Sequence, residues 1–239
     1  MGNKKGASHL EFVLSMIIFM TFVTVALFFF APTRTNVLSS NTLNFAFDGI
    51  LGRTQISVDS YSIKLNLDAI PEEIKNSPNP IGVTISDDTD RKTKVFNSTG
   101  SIKSSNREDK TIYFNRGGDT FFTILFSENF SDEENIIGTA PLESKMYQIT
   151  SSSDRKVISE KATKALKANY ESSYNSLKDD LKLPISSDFS FALIFSPTDI
   201  INVTKFVPGG LDVFADSRRF EVLREDENFA YADLVVRTW

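Results

Sequence analysis

Residues 4–32 read KKGASHLEFVLSMIIFMTFVTVALFFFAP, and this stretch decides how the chain is organised. Two lysines and a glycine precede one carboxylate, Glu11, and then twenty uncharged residues run from 12 to 31. A helix rises about 1.5 Å per residue, so this run would extend about 30 Å, the thickness of one bilayer core. Its only polar members are Ser15, Thr21 and Thr24, whose hydroxyls can bond back to helix carbonyls. A secretory signal has an apolar core of roughly 7–15 residues followed by a small-x-small cleavage site. The present run is longer, and Phe28-Phe29-Phe30-Ala31-Pro32 is no such site. It also lacks the polar face of a soluble amphipathic helix. The expectation is a single membrane-spanning helix, with the lipid bilayer as its first partner.

The flanks set its orientation. Lys4 and Lys5 precede the run, and Arg34 is the only early cation after it. The positive-inside rule places the short N-terminus in the cytoplasm and residues 33–239 on the extracytoplasmic side of the cell membrane. Of the 26 Lys+Arg and 31 Asp+Glu, residues 33–239 keep 24 and 30, a net charge near −6. That balance, without a basic block, argues against nucleic acid as a partner. Twenty-one phenylalanines point to a packed apolar core, and the lack of cysteine removes disulfide support and thiolate chemistry.

Periodicity organises the rest. Val37, Leu38, Leu43, Phe47, Ile50 and Leu51 are spaced as a helix leaving the membrane, kinked or broken by Pro32, with Gly49 and Gly52 at a fraying end. Tyr61, Ile63, Leu65 and Leu67 alternate as a half-buried strand over 56–67. Ile81, Val83 and Ile85 form a second strand, with 92–96 returning as its partner and 99–109 as a polar loop. Residues 111–114 and 120–126 flank Asn115-Arg116-Gly117-Gly118-Asp119 as a hairpin. Residues 146–150 read as one more strand. A long amphipathic helix is expected over 154–181, capped by Ser153 or Asp154 and stopped before Pro184. Strands follow at 188–195 and 211–214. Residues 219–223 and 230–239 form a terminal hairpin around the polar turn 224–228.

The fold class is therefore α+β: an N-terminal transmembrane helix, then an extracytoplasmic antiparallel β-rich domain with one long packed helix. Residues 1–6 form a leader, 7–54 the helix and its extension, and 55–239 the outer domain, with a split near 150 as the lesser option.

Glu11 stands out, because a carboxylate beside or inside an apolar span is costly and functional by default. Lys-Lys-Gly, a short polar start, a glutamate five residues after the glycine and a long apolar helix resemble the class III signal of type IV pilins and related archaeal surface proteins. The resemblance covers about 30 residues. Small Ala7 and Ser8 fit the archaeal relatives better than bacterial members, many of which begin with phenylalanine. It implies a prepilin peptidase as partner, cutting between Gly6 and Ala7 behind Lys4 and Lys5. It implies self-assembly, or assembly with other pilin-like subunits, through the N-terminal helix, with Glu11 paired to a neighbour's free amino terminus. The large outer domain leaves room for an accessory subunit of a surface filament.

No enzyme, cofactor or metal is expected. The only histidine, His9, reads as an interfacial polar residue, so the outer domain has no Ser-His-Asp chemistry. Asp87, Asp88 and Asp90, and Asp132, Glu133 and Glu134, read as solvated turns, because neither run has a calcium loop's glycine and spacing. Gly117-Gly118 and Gly209-Gly210 read as turn glycines. Three N-x-Ser/Thr sequons, at Asn97, Asn129 and Asn202, are glycosylation candidates. The rival expectations are a single-pass protein with a binding or sensing head that never polymerises, and a membrane-tethered hydrolase using carboxylates.

Overall fold

A computed structural model describes residues 5–86, 91–131, 136 and 140–239, with the side chains of 5–10, 28–40 and 140 set aside. Lys4, the acidic turn at 87–90, the run 132–135 and the side chains of Lys5, Ala7 and His9 thus lie outside the described residues.

Helix α1 (Lys5–Thr54) leads into strand β1 (Gln55–Leu65) and a single turn, α2 (Glu72–Lys75). Strands β2 (Ile81–Thr84), β3 (Lys92–Asn97), β4 (Ile102–Lys103), β5 (Ser105–Glu108), β6 (Thr111–Phe114), β7 (Phe121–Ser127) and β8 (Ala140–Pro141) follow. Then come β9 (Tyr147–Ser159), α3 (Glu160–Asp180), β10 (Phe189–Ser196), β11 (Asp199–Val203), β12 (Phe214–Leu223) and β13 (Phe229–Thr238). Nine strands form one sheet in the order β11-β10-β13-β12-β9-β1-β7-β3-β4, and four form a second, β5-β6-β2-β8. Pairing is antiparallel except for β9 with β12 and β2 with β8. The α+β class holds, with one large mixed sheet.

Alternation along β1 explains the layering. Val58 joins Leu125, Phe130, Val157 and Leu223 on one face of the large sheet. Ile63 and Leu65, an odd number of residues away, point to the other face and meet Ile81, Val83, Ile112 and Phe114 of the small sheet. That second face is covered in two halves. The small sheet lies over β1, β7 and β3, while α1 and α3 lie over β10, β13 and β12.

Helix α1 is continuous through Pro32, so the segment after it is the same helix and not a second one. Proline removes one backbone donor, and a helix already nucleated on both sides carries that loss. Leu43, Ala46, Phe47 and Ile50 form the buried stripe at i, i+3, i+4 and i+7. Gly49 lies inside the helix, where a Cβ would come 2.7 Å from Leu181 Cδ2. Glycine there lets α1 approach the end of α3, and Arg53 reaches Asp180 at 2.9 Å.

Helix α3 begins at Glu160, not at 154. Val157 and Ile158 are both buried, in clusters on opposite faces of the sheet, which only a strand permits. Ser159 then caps the helix by accepting from Ala162 N at 3.2 Å. The apolar stripe Leu166, Tyr170 and Leu177 is as expected, although Ser173 (φ −145, ψ 48) interrupts the helical geometry.

Several strand assignments change. Strand β3 pairs with β7, and β2 pairs with β6. The supposed hairpin at 111–126 is no ladder: its turn is real, with Gly117 and Gly118 at φ 60 and 88, but β6 and β7 enter different sheets. Their Phe114 and Phe122 rings meet across the core at 4.7 Å. The polar segment 99–109 contains β4 and β5; β5 pairs through its backbone and needs no apolar alternation. Residues 211–213 precede β12 rather than forming a strand. The strand at 56–67 ends at Leu65, leaving Leu67 exposed. The terminal hairpin is as read: Leu234, Val236 and Thr238 face inward, and Trp239 exchanges backbone hydrogen bonds with Asp188 at 2.8 and 3.1 Å.

Among the described residues, no helix offers a stretch long and apolar enough to count as a membrane span. Side chains of the run 12–31 are described as far as Leu27.

Phe47 is fully buried, with the Arg218 guanidinium 4.1 Å from its ring centroid and the Phe220 ring at 6.2 Å. Phe47→Ala should lower the stability of the full chain by about 3–5 kcal/mol in denaturant unfolding, whereas Phe45→Ala, on the exposed side of the same turn, should change it little.

Candidate functional site

The candidate site is the half of α1 that the body leaves uncovered, together with the collar from which it emerges. Five consecutive residues, Met16, Ile17, Ile18, Phe19 and Met20, are each 54–63% exposed. Consecutive residues point to every side of a helix, so the apolar surface runs all round it. Two of its hydroxyls bond locally: Thr21 and Thr24 donate to the Ile17 and Met20 carbonyls at 2.8 Å each. The surface is not uniform. Val13, Met16, Ile17, Met20, Thr21, Thr24 and Val25 line a shallow groove of about 460 Å³ along one side. Phe12, Phe19 and Phe22 fall on the opposite side at 100° per residue and stand 63–71% exposed. An exposed apolar surface of this extent calls for cover, by lipid or by protein.

Glu11 is exposed at the start of this surface, and among the described residues it has no ion-pair partner. Gly6 and Ala7 belong to the helix; their side-chain environment lies outside the described residues. The candidate cut therefore falls in helical backbone.

At the other end of the uncovered half, Thr42 lines a cleft of about 420 Å³ with Pro184, Ser187, Leu211, Phe214 and Trp239. Ile185 (92% exposed) and Val213 adjoin its lining residues in the chain, and Phe206 (83%) is exposed in the segment before Leu211. This apolar collar was not foreseen. Its one sequence signal is the placing of Phe206, Val207 and Leu211 in a Pro-Gly-Gly turn, where alternation has no meaning.

Asp188 holds the collar together. Its Oδ1 accepts from the Tyr174 hydroxyl at 2.8 Å and from Lys205 Nζ at 2.9 Å, with Lys178 Nζ at 3.6 Å. Its backbone pairs with Trp239, and Tyr174 in turn accepts from Phe189 N at 3.2 Å. Burial pushes the Asp188 carboxyl up, but the Lys205 and Tyr174 hydrogen bonds outweigh it and hold the carboxyl below its ordinary range. Burial foremost pushes both Tyr170 and Tyr174 well above the ordinary tyrosine range, so both remain neutral donors.

A polar cleft at the start of β1, beside the end of β7, is the alternative place for chemistry. Gln55, Ser57, Asp59, Arg91, Glu128 and Asp154 line it. Two of its three acids are engaged: Asp59 pairs with Arg91, and the Ser57 hydroxyl donates to Asp154 Oδ1 at 2.6 Å. Among the described residues, no three His, Cys, Asp or Glu side chains gather as a metal site. The three sequons are scattered: Asn97 ends β3, Asn129 sits in the turn after β7, and Asn202 stands exposed on β11.

Comparison with protein-family models, with curated proteins and with solved structures finds no match for this chain.

Because Asp188 is ionised at lower pH in the fold than in the unfolded chain, the folded state binds fewer protons through that interval. Its stabilisation is fully present above about pH 4 and is lost as pH falls through the depressed folded value. Asp188→Asn should cost about 1–3 kcal/mol at neutral pH, and the gap to the parent chain should narrow in thermal melts at decreasing pH.

Proposed function

We propose that this chain is a pilin-like, single-pass membrane-anchored surface protein, a structural or accessory subunit of a type IV pilus-like filament or assembly. One observation carries the reading. A single 50-residue helix is fixed in the head by its Leu43–Ile50 stripe, while residues 12–27 present apolar side chains in all directions. A helix used only to build the head would end near residue 40. One built to be covered elsewhere, by lipid first and by like helices afterwards, has this composition.

In this reading, residues 12–31 span the membrane, with Lys4 and Lys5 on the cytoplasmic side and residues 33–239 outside. A prepilin peptidase cuts between Gly6 and Ala7. The new amino group at Ala7 lies four residues from Glu11, about one helical turn. In a bundle of such helices, Glu11 is an uncompensated charge until a neighbour's amino terminus reaches it. Burial penalises every register except those that bring the opposite charges together. The groove along Val13, Ile17, Met20 and Thr24 is the smoother side for packing against another helix, and the Phe12/Phe19/Phe22 side suits lipid. The head faces outward and carries no active site.

Two measurements test this. Intact mass of the protein from its native membrane should show an N-terminus at Ala7; a chain beginning at Met1 or Gly2 contradicts the cleavage. Glu11→Gln should leave membrane insertion unchanged and reduce the sheared filament fraction, because an unpaired buried amino group costs about 3–5 kcal/mol per contact. Undiminished filaments remove the register role of Glu11. A detergent-extracted monomer with no sheared fraction favours the non-polymerising single-pass reading.

A further inference from the structure

Three sequons are equivalent in sequence and different in space. Modification of an asparagine in a folded chain needs a free side-chain amide, a free hydroxyl two residues on, and backbone that can enter an enzyme cleft in extended form.

Asn97 fails the first condition. Its Oδ1 accepts from Thr99 N at 3.2 Å, Thr99 Oγ1 at 2.8 Å and Ser101 N at 2.8 Å, and its Nδ2 donates to Asp119 at 3.2 Å. That side chain closes its own turn, with the sequon hydroxyl bound inside it. Asn129 fails the second. It is half-buried in a turn, and Ser131, which carries its sequon hydroxyl, donates to Glu227 Oε1 at 2.6 Å while its backbone N–H reaches the same atom at 2.8 Å. Glu227 also pairs with Lys94 at 2.9 Å, so moving Ser131 opens a part-buried network.

Asn202 meets all three. It lies on β11, whose backbone is already extended, and it is exposed while its neighbours Ile201 and Val203 are buried on the other face. Among the described residues no group holds its amide, and Thr204 is exposed in the irregular segment that follows. Among the described residues, strand β11 is also the end of the nine-stranded sheet, with β10 on one side and no strand on the other. Ile200, two residues away on the same face, is 43% exposed. A free edge beside an exposed apolar residue invites pairing with another chain.

We propose that Asn202 is an N-glycosylation site, and that its glycan shields the open edge and outer face at β11. The proposal rests on the reading that residues 33–239 lie outside the membrane. In the covalent step, Asn202 Nδ2 forms a bond to C1 of a sugar on a lipid-linked phosphate donor. The bond from C1 to the phosphate oxygen breaks, and the lipid phosphate leaves with the electron pair. The amide proton passes to a base of the transferring enzyme.

Tryptic mapping of the full-length protein from its native membrane tests the assignment. The fragment 183–205 holds Asn202 and no other sequon. It should carry a glycan mass, with the fragments holding Asn97 and Asn129 bare. Asn202→Gln and Thr204→Ala should each abolish the electrophoretic shift, the second leaving the asparagine in place. A bare Asn202, or a glycan found at Asn97 or Asn129 in its stead, overturns the proposal. Protease treatment of intact cells separates the two readings. A digested head with a bare Asn202 sinks the glycan alone, whereas a protected head sinks the topology as well. If Thr204→Ala protein shows no more cross-linked head pairs than the parent, the shielding role is wrong.

Discussion

Everything else in this molecule depends on one helix satisfying two environments. From Leu43 to Ile50, α1 needs a single apolar stripe, with Asn44 and Asp48 left on the solvent side. From Phe12 to Leu27 it is apolar all round. The stripe seats the helix: Leu43, Phe47 and Ile50 each contribute on the order of 1.5–3 kcal/mol by leaving water, an upper estimate, since a real unfolded chain is already partly collapsed. The uncovered half contributes nothing to the head. Its residues gain only when something else covers them.

The head is built so that α1 can be held without being enclosed. The large sheet has two differently covered halves, and they meet at a narrow seam. Strands β9 and β12 pair over only Ile158–Val222 and Ser159–Leu223. Side chains reinforce what the backbone leaves thin. Arg155 makes a two-oxygen contact with Glu221 at 2.8 and 2.9 Å, and its guanidinium lies 4.6 Å from the Phe229 ring centroid. On the other side, Glu160 accepts from Arg224 at 2.9 Å and Lys164 at 3.0 Å, and Arg224 also reaches Asp199 at 2.7 Å. These bonds gather the start of α3, the β12–β13 hairpin and the start of β11 at one place. The seam falls at residue 159, where strand turns into helix, whereas at residue 150 β9 has only a bulge and pairs with β1 on both sides of it.

Which parts were legible in the sequence follows from what each element needs. Strands with one buried face show alternation, so β1, β2, β10 and β13 could be read directly. So could the buried stripe of α3. Edge strands need only backbone partners: β5, with the polar sequence SNRE, and β11 carry little signal. Partner choice was not legible either, because Phe114 and Phe122 alternate equally well in one ladder or in two facing sheets. The start of α3 was misread because Ser151–Asp154 offers capping chemistry before Ser159 does, and only the two-sided burial of Val157 and Ile158 decides between them. In the candidate site, Glu11 and the apolar run are visible by composition alone. The collar and the Asp188 hub are not, because both are assembled from segments distant in sequence, with Tyr174 and Lys205 meeting at the Asp188 carboxylate and Trp239 at its backbone.

The coupling between α1 and the head follows from how the helix is seated. Helix α1 is continuous through Pro32, and its stripe is locked by Phe47 and Ile50. At its far end, the close approach of Gly49 to Leu181 and the Arg53–Asp180 pair fix its rotation against α3. A helix held in this way cannot turn about its axis without turning the head. Whatever selects which side of α1 meets a neighbour, the groove along Val13 and Met20 or the phenylalanine side, therefore also selects the direction in which β11 and the open sheet face point. In the proposed filament, the orientation of each head then follows from the contacts along its own helix.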